Sequence, residues 1–477
     1  MNSEEIKKAY MTNDELGEAE CNRINSLVSE FKRYLEVMVM IPGAEKAEKD
    51  NPEAFREKYR LSRDYREDGK MFLDPRLSSQ FKSMSEEEYL SAVTETAFRY
   101  SQFLNNKFFY RDLFREKLCV PDNEVIKKWR ERQIHRCLGL AGSASLGNIH
   151  VPLAIELSDG CSVGCKFCGI GAGKLKSVFR YTDENSKLFN DVLETMHDII
   201  GDAAGSAMLY YCGEPLDNPD YKKFMSDFYK KSGLCPQITT AVALRDVLRT
   251  HDLLADLSQK PVTIYRFSVL SVDQAEKILD EFTPEELLRV ELLPQYPEAK
   301  TFSGFVDAGK ARDAKYHVDS GVYQSICCLS GFVINMSNMT VRMITSVPAS
   351  DEYPTGEKIY EKKEFKSAED LKTIVESMID RYMVNELPKS RKLKFYDYVK
   401  VKDDSGDDCM LIAPGYHLKI KDIPGGAGKP AAEMLAKGDY TAKEIVSEIT
   451  DSEKIDPVEV YRTLYYYWME GVIDEFH

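Results

Sequence analysis

The stretch that decides the reading is Leu157-Ser158-Asp159-Gly160-Cys161-Ser162-Val163-Gly164-Cys165-Lys166-Phe167-Cys168-Gly169-Ile170. Its three cysteines stand in a C-x3-C-x2-C spacing on a short, glycine-containing turn, so three sulfurs can converge on one small object. Eleven cysteines in 477 residues would give such a triple by accident about 0.006 times per chain. Buried thiols or a zinc clip are the plainer alternatives. Three thiolates do not complete a four-ligand zinc or iron–sulfur site. A metal held here keeps one open position, which is what chemistry at a metal needs.

Working outward, Ala154-Ile155-Glu156-Leu157 reads as a strand feeding the loop. About one βα unit later, residues 207–211 read as a second strand, running into Tyr210-Tyr211-Cys212-Gly213-Glu214-Pro215. Between them Leu188, Val192, Met196 and Ile199 share one helical face. Residues 237–242, 262–269 and 289–293 read as the third, fourth and fifth strands. Thr283-Pro284, an N-cap followed by a first-turn proline, precedes the fifth. Residues 331–335 and 340–344 read as later strands joined near Asn338. This alternation of strand and helix is the α/β signature of a parallel sheet. It predicts a partial (β/α)6 TIM-type barrel with its site at the C-terminal ends of the strands. Position nominates Cys212 and Glu214 after strand two, Thr239 and Thr240 on strand three, Ser268 on strand four, and Glu291 and Gln295 around strand five. Each polar group there is equally explained by satisfying its own strand end.

These motifs resemble the radical S-adenosylmethionine superfamily. The resemblance implies that Cys161, Cys165 and Cys168 hold a [4Fe-4S] cluster and that Phe167 flanks the adenine of S-adenosyl-L-methionine. Gly213-Glu214-Pro215 looks like the family's G-E-P motif, which binds the methionine amino group. Thr240, Ser268 and Glu291 fall where the family places polar groups for the ribose and methionine. Four segments, 157–165, 213–220, 266–270 and 282–288, look like the peptide-epimerase branch, which matures ribosomally made peptides of the proteusin type. That likeness covers about 155–356 and implies conversion of L-residues to D-residues. A peptide Cα–H is a good radical target because the flanking amide delocalises the product, and inversion needs a hydrogen atom from the opposite face. A cysteine thiol suits that role, and its thiyl must afterwards be re-reduced.

The chain departs from the branch at this point. The family's donor cysteine lies in a Ser-Pro-Cys-like stretch ahead of a W-P-x-G-like segment. Residues 345–356 match that region, contain no cysteine, and put Val347 at or near the donor position. Cys327 and Cys328, or Cys212, are the remaining candidate donors, and each also reads as an ordinary buried thiol. Without a donor, the substrate radical would end by oxidation or bond formation at a side chain. Cys327, Cys328 and Cys409 are the only cysteines of the C-terminal half, which argues against auxiliary clusters.

The flanks read as separate regions. Residues 1–150 are mostly helical, with Ile24, Val28, Phe31, Leu35 and Met38 at helical spacing. The aromatic run from Phe98 to Phe114 reads as a helix core or as one wall of a substrate groove. Residues 151–356 form the barrel and 357–390 a charged helical connector. Residues 391–477 combine short strands (393–401, 409–413, 417–421) with a Thr441–Glu444 capping box and a last helix after Asp456-Pro457. They resemble PqqD-like leader-recognition domains, where an extended leader peptide adds a strand to a small sheet. A winged helix that only packs on the barrel is the plainer alternative.

The expected partners are a precursor peptide, held through its leader, and an electron donor such as flavodoxin or ferredoxin. The net charge of −15 argues against nonspecific binding to nucleic acid or an anionic membrane. No apolar run reaches 18 residues, and Met1-Asn2-Ser3-Glu4-Glu5 shows no signal-peptide pattern. The unpaired cysteines suit a reducing cytoplasm. Two other classes compete: a cluster-bearing leader-binding protein without catalysis, against which the Gly-Glu-Pro turn weighs, and a radical enzyme acting on a small molecule.

Overall fold

The computed structural model describes residues 18–85, 88, 92–141, 148–258, 260, 265–302, 304–314, 328–402, 410–413 and 416–475. Three long helices precede the sheet: α1 (Glu18–Met40), α2 (Glu95–Leu113) and α3 (Glu124–Ala141). A π-helical turn, Phe114–Leu118, extends α2. The helices and strands then alternate: β1 (Val151–Glu156), α4 (Asp183–Ile200), α5 (Tyr221–Ser232), β2 (Ile238–Thr240), α6 (Val247–Ser258), β3 (Tyr265–Val269), α7 (Val272–Glu281) and β4 (Glu291–Pro294). β5 (Leu329–Asn335), β6 (Thr340–Ser346), β7 (Glu357–Glu364) and α8 (Ala368–Tyr382) follow.

β1 is buried along its whole length, as a strand covered on both faces must be. It pairs in parallel with β5, and on its other side Ala154 bridges Met208. β2, β3 and β4 form a second parallel ladder, with Thr239, Arg266 and Glu291 in one register row. The Tyr210 hydroxyl donates to Thr239 Oγ1 at 2.8 Å and links the two ladders. The parallel strands therefore lie in an open arc, β4–β3–β2, then residues 207–211, then β1 and β5. No closed barrel forms among the described residues.

Two expectations are corrected. Residues 207–211 make one bridge to β1 rather than a full ladder. Residues 331–335 and 340–344 are strands as expected, the first lying on the far side of β1. β6 then returns antiparallel, because Asn335 Oδ1 accepts from the amides of Ser337 and Asn338 and closes a tight turn. Residues 357–390 are not a helical connector. Their first part is the edge strand β7, and α8 buries Leu371, Val375, Met378 and Ile379 in the main core.

That core also takes in the N-terminal helices. Phe31, Val37 and Met38 of α1 share it with Ile278, Leu279 and Phe282, and the Arg33 guanidinium donates to the Phe282 carbonyl. A second core gathers residues between Leu387 and Ile473. It lies under a three-stranded antiparallel sheet, β8 (Lys400–Lys402), β9 (Met410–Ala413) and β10 (Tyr416–Lys419). Helices α9 (Gly428–Lys437), α10 (Ala442–Glu453) and α11 (Pro457–Met469) pack beside it. The Thr441–Glu444 capping box starts α10. Among the described residues no helix is long and apolar enough to cross a membrane.

Glu475 fastens this second unit to the first. Its carboxylate accepts from Arg132 Nη2 at 3.2 Å and from Arg136 Nη1, all three side chains being buried. Arg136 also donates to Thr345 Oγ1 at 2.7 Å and to the Ser346 carbonyl at the end of β6. Burial alone would raise the Glu475 carboxyl, but the two guanidinium groups outweigh it and hold it below the usual glutamate value. Glu475→Ala leaves two cations buried without their counter-charge. We expect a loss of about 3–5 kcal/mol in urea unfolding at neutral pH. A depressed carboxyl stabilises the fold above its unfolded pKa and loses that contribution as pH falls through the folded value. Glu475→Gln should therefore flatten the acid limb of the stability curve, and an unchanged limb would refute the clamp.

Candidate functional site

The cysteine loop leaves the C-terminal end of β1 and is clipped to its own return strand. The Cys161 amide donates to the Gly173 carbonyl at 2.9 Å, and the Leu175 amide to the Cys161 carbonyl at 3.2 Å. Gly160 makes the approach possible: at φ +91° a Cβ there would sit 2.2 Å from the Lys174 carbonyl oxygen. The other end is strapped by Gly309-Lys310. The Lys310 amide donates to the Cys168 carbonyl at 2.9 Å, and the Gly309 amide to that of Pro354 at 2.6 Å. A Cβ on Gly309, at φ +57°, would meet the Gly169 carbonyl oxygen at 2.4 Å.

Cys161, Cys165 and Cys168 are free, half-buried thiols. Burial pushes the Cys165 thiol up to about 11, helped by its neighbours Cys161 and Cys168. Burial also raises Cys161, while amides of Val163 and Gly164 oppose the rise by donating to its sulfur. Among the described residues no three His, Cys, Asp or Glu side chains converge as a preassembled metal site. The donor set nonetheless suits a thiolate-bound metal: three neighbouring sulfurs on one backbone-clipped loop, with amide donors to stabilise negative sulfur.

The Gly213-Glu214-Pro215 turn abuts this loop. A Cβ on Gly213 would lie 2.9 Å from Ser158 Oγ. Asp217, in the short 3-10 turn that Pro215 starts, accepts from the Ser162 amide at 2.8 Å, and Arg245 spans Asp217 and Ser162 Oγ. Glu214 is buried, and burial raises its carboxyl. Its oxygens accept from the Leu216 amide at 3.0 Å and the Ala241 amide at 2.9 Å, so the acid ties the turn to the end of β2. Buried Thr240 supports it with a side-chain hydrogen bond. Phe167 stacks on Phe305, centroids 4.6 Å apart and planes 6° from parallel.

Beneath the loop lies a smaller apolar cluster. It includes Tyr110 and Phe114 from the end of α2, with Ala154, Met208, Tyr211 and Val333. Ile170 of the loop, Tyr210, Cys212 and Cys328 pack against it. Two of the three proposed donor thiols thus pack against one apolar cluster; Cys327 lies outside the described residues. The Cys212 amide donates to Glu156 Oε1 at 2.8 Å, and Arg342 Nη2 stands 3.5 Å from its sulfur. Burial and then Glu156 raise the Cys212 thiol well above its usual value. Burial, with Glu357, pushes Cys328 up to about 12. Both keep their S–H at neutral pH. Val347 is buried, its amide bonded to the Gly356 carbonyl.

Polar groups cross the arc as a row. Arg266 donates to Glu291 at 2.7 Å, and Lys107 of α2 reaches Glu291 at 2.5 Å. Burial would raise Glu291, but the two cations bring it down to about 2. Glu291 opens β4 instead of lying near its end, two rows short of Ser268, which pairs with Leu293. Gln295 follows β4, its amide bonded to the Val269 carbonyl. The sequence reading missed Glu156, Arg342, Arg266 and Phe305. Glu156 and Arg342 carried a usable signal, since each is a lone charge in an otherwise buried strand. They pair at 3.1 and 3.2 Å, and Asn335 donates to Glu156 at 3.0 Å.

No family model matches the chain. It is 29% identical over 460 residues to an uncharacterised protein, y4wI, of Sinorhizobium fredii, covering 94% of this chain and 87% of that one. Among solved structures it is similar to BtrN in complex with AdoMet and 2-DOIA, at a TM-score of 0.29 and 15% identity, over 48% of this chain and 80% of that one. A likeness of that size carries no weight for fold or activity.

Arg342→Met strands the Glu156 carboxylate in the interior and should cost about 3–5 kcal/mol in denaturant unfolding. Gly309→Ala forces a Cβ against the Gly169 carbonyl at positive φ; it should cost about 1–3 kcal/mol in urea unfolding and lower the iron bound after anaerobic reconstitution, counted by colorimetric assay. Full iron uptake by Gly309→Ala would show that the strap does not govern the loop.

Proposed function

We propose that the chain is a radical S-adenosylmethionine enzyme that modifies a ribosomally made precursor peptide, with L-to-D epimerisation as the first reading. The observation that carries it is the arrangement of the site: a backbone-clipped three-cysteine loop, the Gly-Glu-Pro turn against it, and two thiols in the apolar cluster on which Ile170 of the loop packs. Cys161, Cys165 and Cys168 would hold the cluster. When bound, the reduced cluster and S-adenosylmethionine supply a carbon radical able to take a hydrogen atom from a peptide Cα–H.

The chain's own residues then do the rest. Glu214, in a fixed pose, sets the turn that borders the methionine moiety. Phe167, backed by Phe305, presents an aromatic face for the adenine. Cys212 or Cys328 returns hydrogen from the other face of the substrate: an S–H bond breaks, a Cα–H bond forms, and the thiyl is re-reduced by an external one-electron donor such as a ferredoxin. Tyr110, Phe114 and Val333 pack as a buried apolar cluster beside both thiols and would keep water away from them. In the C-terminal unit, β8 and β10 each pair with β9 alone among the described residues, which leaves an edge for an extended leader.

A second reading draws on Val347. A buried valine at the expected donor position favours side-chain oxidation or bond formation if neither thiol serves.

The test is anaerobically reconstituted enzyme with a candidate precursor peptide. Epimerisation gives 5′-deoxyadenosine and a product of unchanged mass in H2O, gaining one deuterium per inverted residue in D2O. Cys212→Ala and Cys328→Ala should identify the donor, one of them abolishing deuterium gain while deoxyadenosine still forms. A mass change in H2O selects the second reading, and no deoxyadenosine under any condition rejects both.

A further inference from the structure

The turn from Glu214 to Asp217 carries two acids that serve different neighbours. Glu214 accepts the Leu216 and Ala241 amides and so faces the end of β2. Asp217, its side chain 1% exposed, takes the cysteine loop instead. Its Oδ2 accepts from the Ser162 amide at 2.8 Å, and its Oδ1 accepts from the Ser162 hydroxyl. Arg245 Nη1 donates to Asp217 Oδ1 at 2.7 Å, and Nη2 to Ser162 Oγ at 2.6 Å, which closes the triangle. A buried carboxylate is tolerated when it is paired and hydrogen-bonded in this way. Ser162 follows Cys161 directly, so the clamp acts one peptide away from a sulfur.

The other bonds of this neighbourhood leave Asp217 out. The backbone clips of the loop run through Gly173, Leu175 and Lys310. Asn218 ties the turn to the base of the loop: its Nδ2 donates to the Leu157 carbonyl at 3.1 Å and to the Phe179 carbonyl at 2.7 Å. Arg249 holds the turn itself through the carbonyls of Leu216 and Asn218. Among the described residues, the only hydrogen bonds between residues 160–168 and residues 213–218 are those that Asp217 makes with Ser162. The loop and the turn are thus each fixed without Asp217, and their bases are joined without it. What Asp217 and Arg245 add is the place of the Cys161–Ser162 end against the turn.

We propose that Asp217 and Arg245 are positioning residues that set the sulfur-bearing end of the loop against the Gly-Glu-Pro turn, so that the metal the sulfurs would hold and the cofactor the turn would bind meet in register. The role rests on the functional reading above. It predicts a split between two properties. Removing the clamp leaves both backbone clips in place, so the loop still takes up iron. The turn keeps Glu214, Asn218 and Arg249, so it still has its shape. Only the joint response of the two halves weakens, because a small misplacement between positioned groups is costly.

The test has two arms on the full-length chain. The first is hydrogen exchange of the iron-free protein, read by mass spectrometry. Asp217→Ala should speed exchange of the Ser162 amide about tenfold or more, while the Leu175 amide of the backbone clip exchanges as in the parent. The second is anaerobically reconstituted, dithionite-reduced protein titrated with S-adenosylmethionine and followed by the change in its EPR spectrum. Asp217→Asn and Arg245→Met should bind as much iron as the parent and need about tenfold more S-adenosylmethionine for half the spectral change. Arg245→Lys keeps a donor but loses the two-pronged fork, and should fall between. Thermal unfolding of each variant checks that the fold is intact. An unchanged S-adenosylmethionine dependence in both Asp217→Asn and Arg245→Met, or unchanged exchange at Ser162, overturns the proposal while leaving the functional reading standing. Iron lost in step with the S-adenosylmethionine response also overturns it, since the clamp would then belong to the loop alone. A parent that binds iron and shows no S-adenosylmethionine response rejects the functional reading, and the positioning role with it.

Discussion

A single buried carboxylate holds the site region together. Glu156 ends β1 one residue before the cysteine-loop stretch. Its oxygens take the Cys212 amide from the second strand's turn, the Asn335 side chain from β5 and the Arg342 guanidinium from β6. Three regions far apart in sequence, at residues 156, 212 and 335–342, thus meet at one charge. Such a charge is tolerable in the interior only when paired and fully hydrogen-bonded. The requirement runs both ways: the strands must converge for Glu156 to be satisfied, and its satisfaction fixes where the loop departs. The apolar cores supply the bulk of the driving force for folding, and this network specifies the register in which the strand ends meet.

The same economy recurs at the two other junctions. Glu214 joins the Gly-Glu-Pro turn to the end of β2, and Glu475 joins the C-terminal unit to α3 and, through Arg136, to the end of β6. Each acid is buried and each bridges elements that hydrophobic packing alone would leave free to slide.

The sequence made the centre of the molecule legible and the periphery less so. The cysteine spacing, the strand before it and the Gly-Glu-Pro turn are local patterns, and the structure sets them side by side. Residues 357–364 were misread because Glu357, Lys358, Glu361, Lys362, Lys363 and Glu364 crowd an exposed edge strand, where charge protects the edge and hides the period of two. The N-terminal helices showed their apolar faces, but a face does not reveal its partner, and only the fold joins Phe31 to Phe282. The Arg266–Glu291–Lys107 row needed strand register, which a lone sequence does not give. Glu156 and Arg342 could have been found by asking what a solitary charge does in a buried strand.

The double clip on the cysteine loop has a consequence of its own. Gly160 against Lys174 at one end and Gly309 against Gly169 at the other make the contacts peptide to peptide. The position of the sulfurs is thereby written in main chain, independent of which side chains surround them. Side chains packed beneath can then be exchanged without moving the loop, so the same sulfur array tolerates many different neighbours.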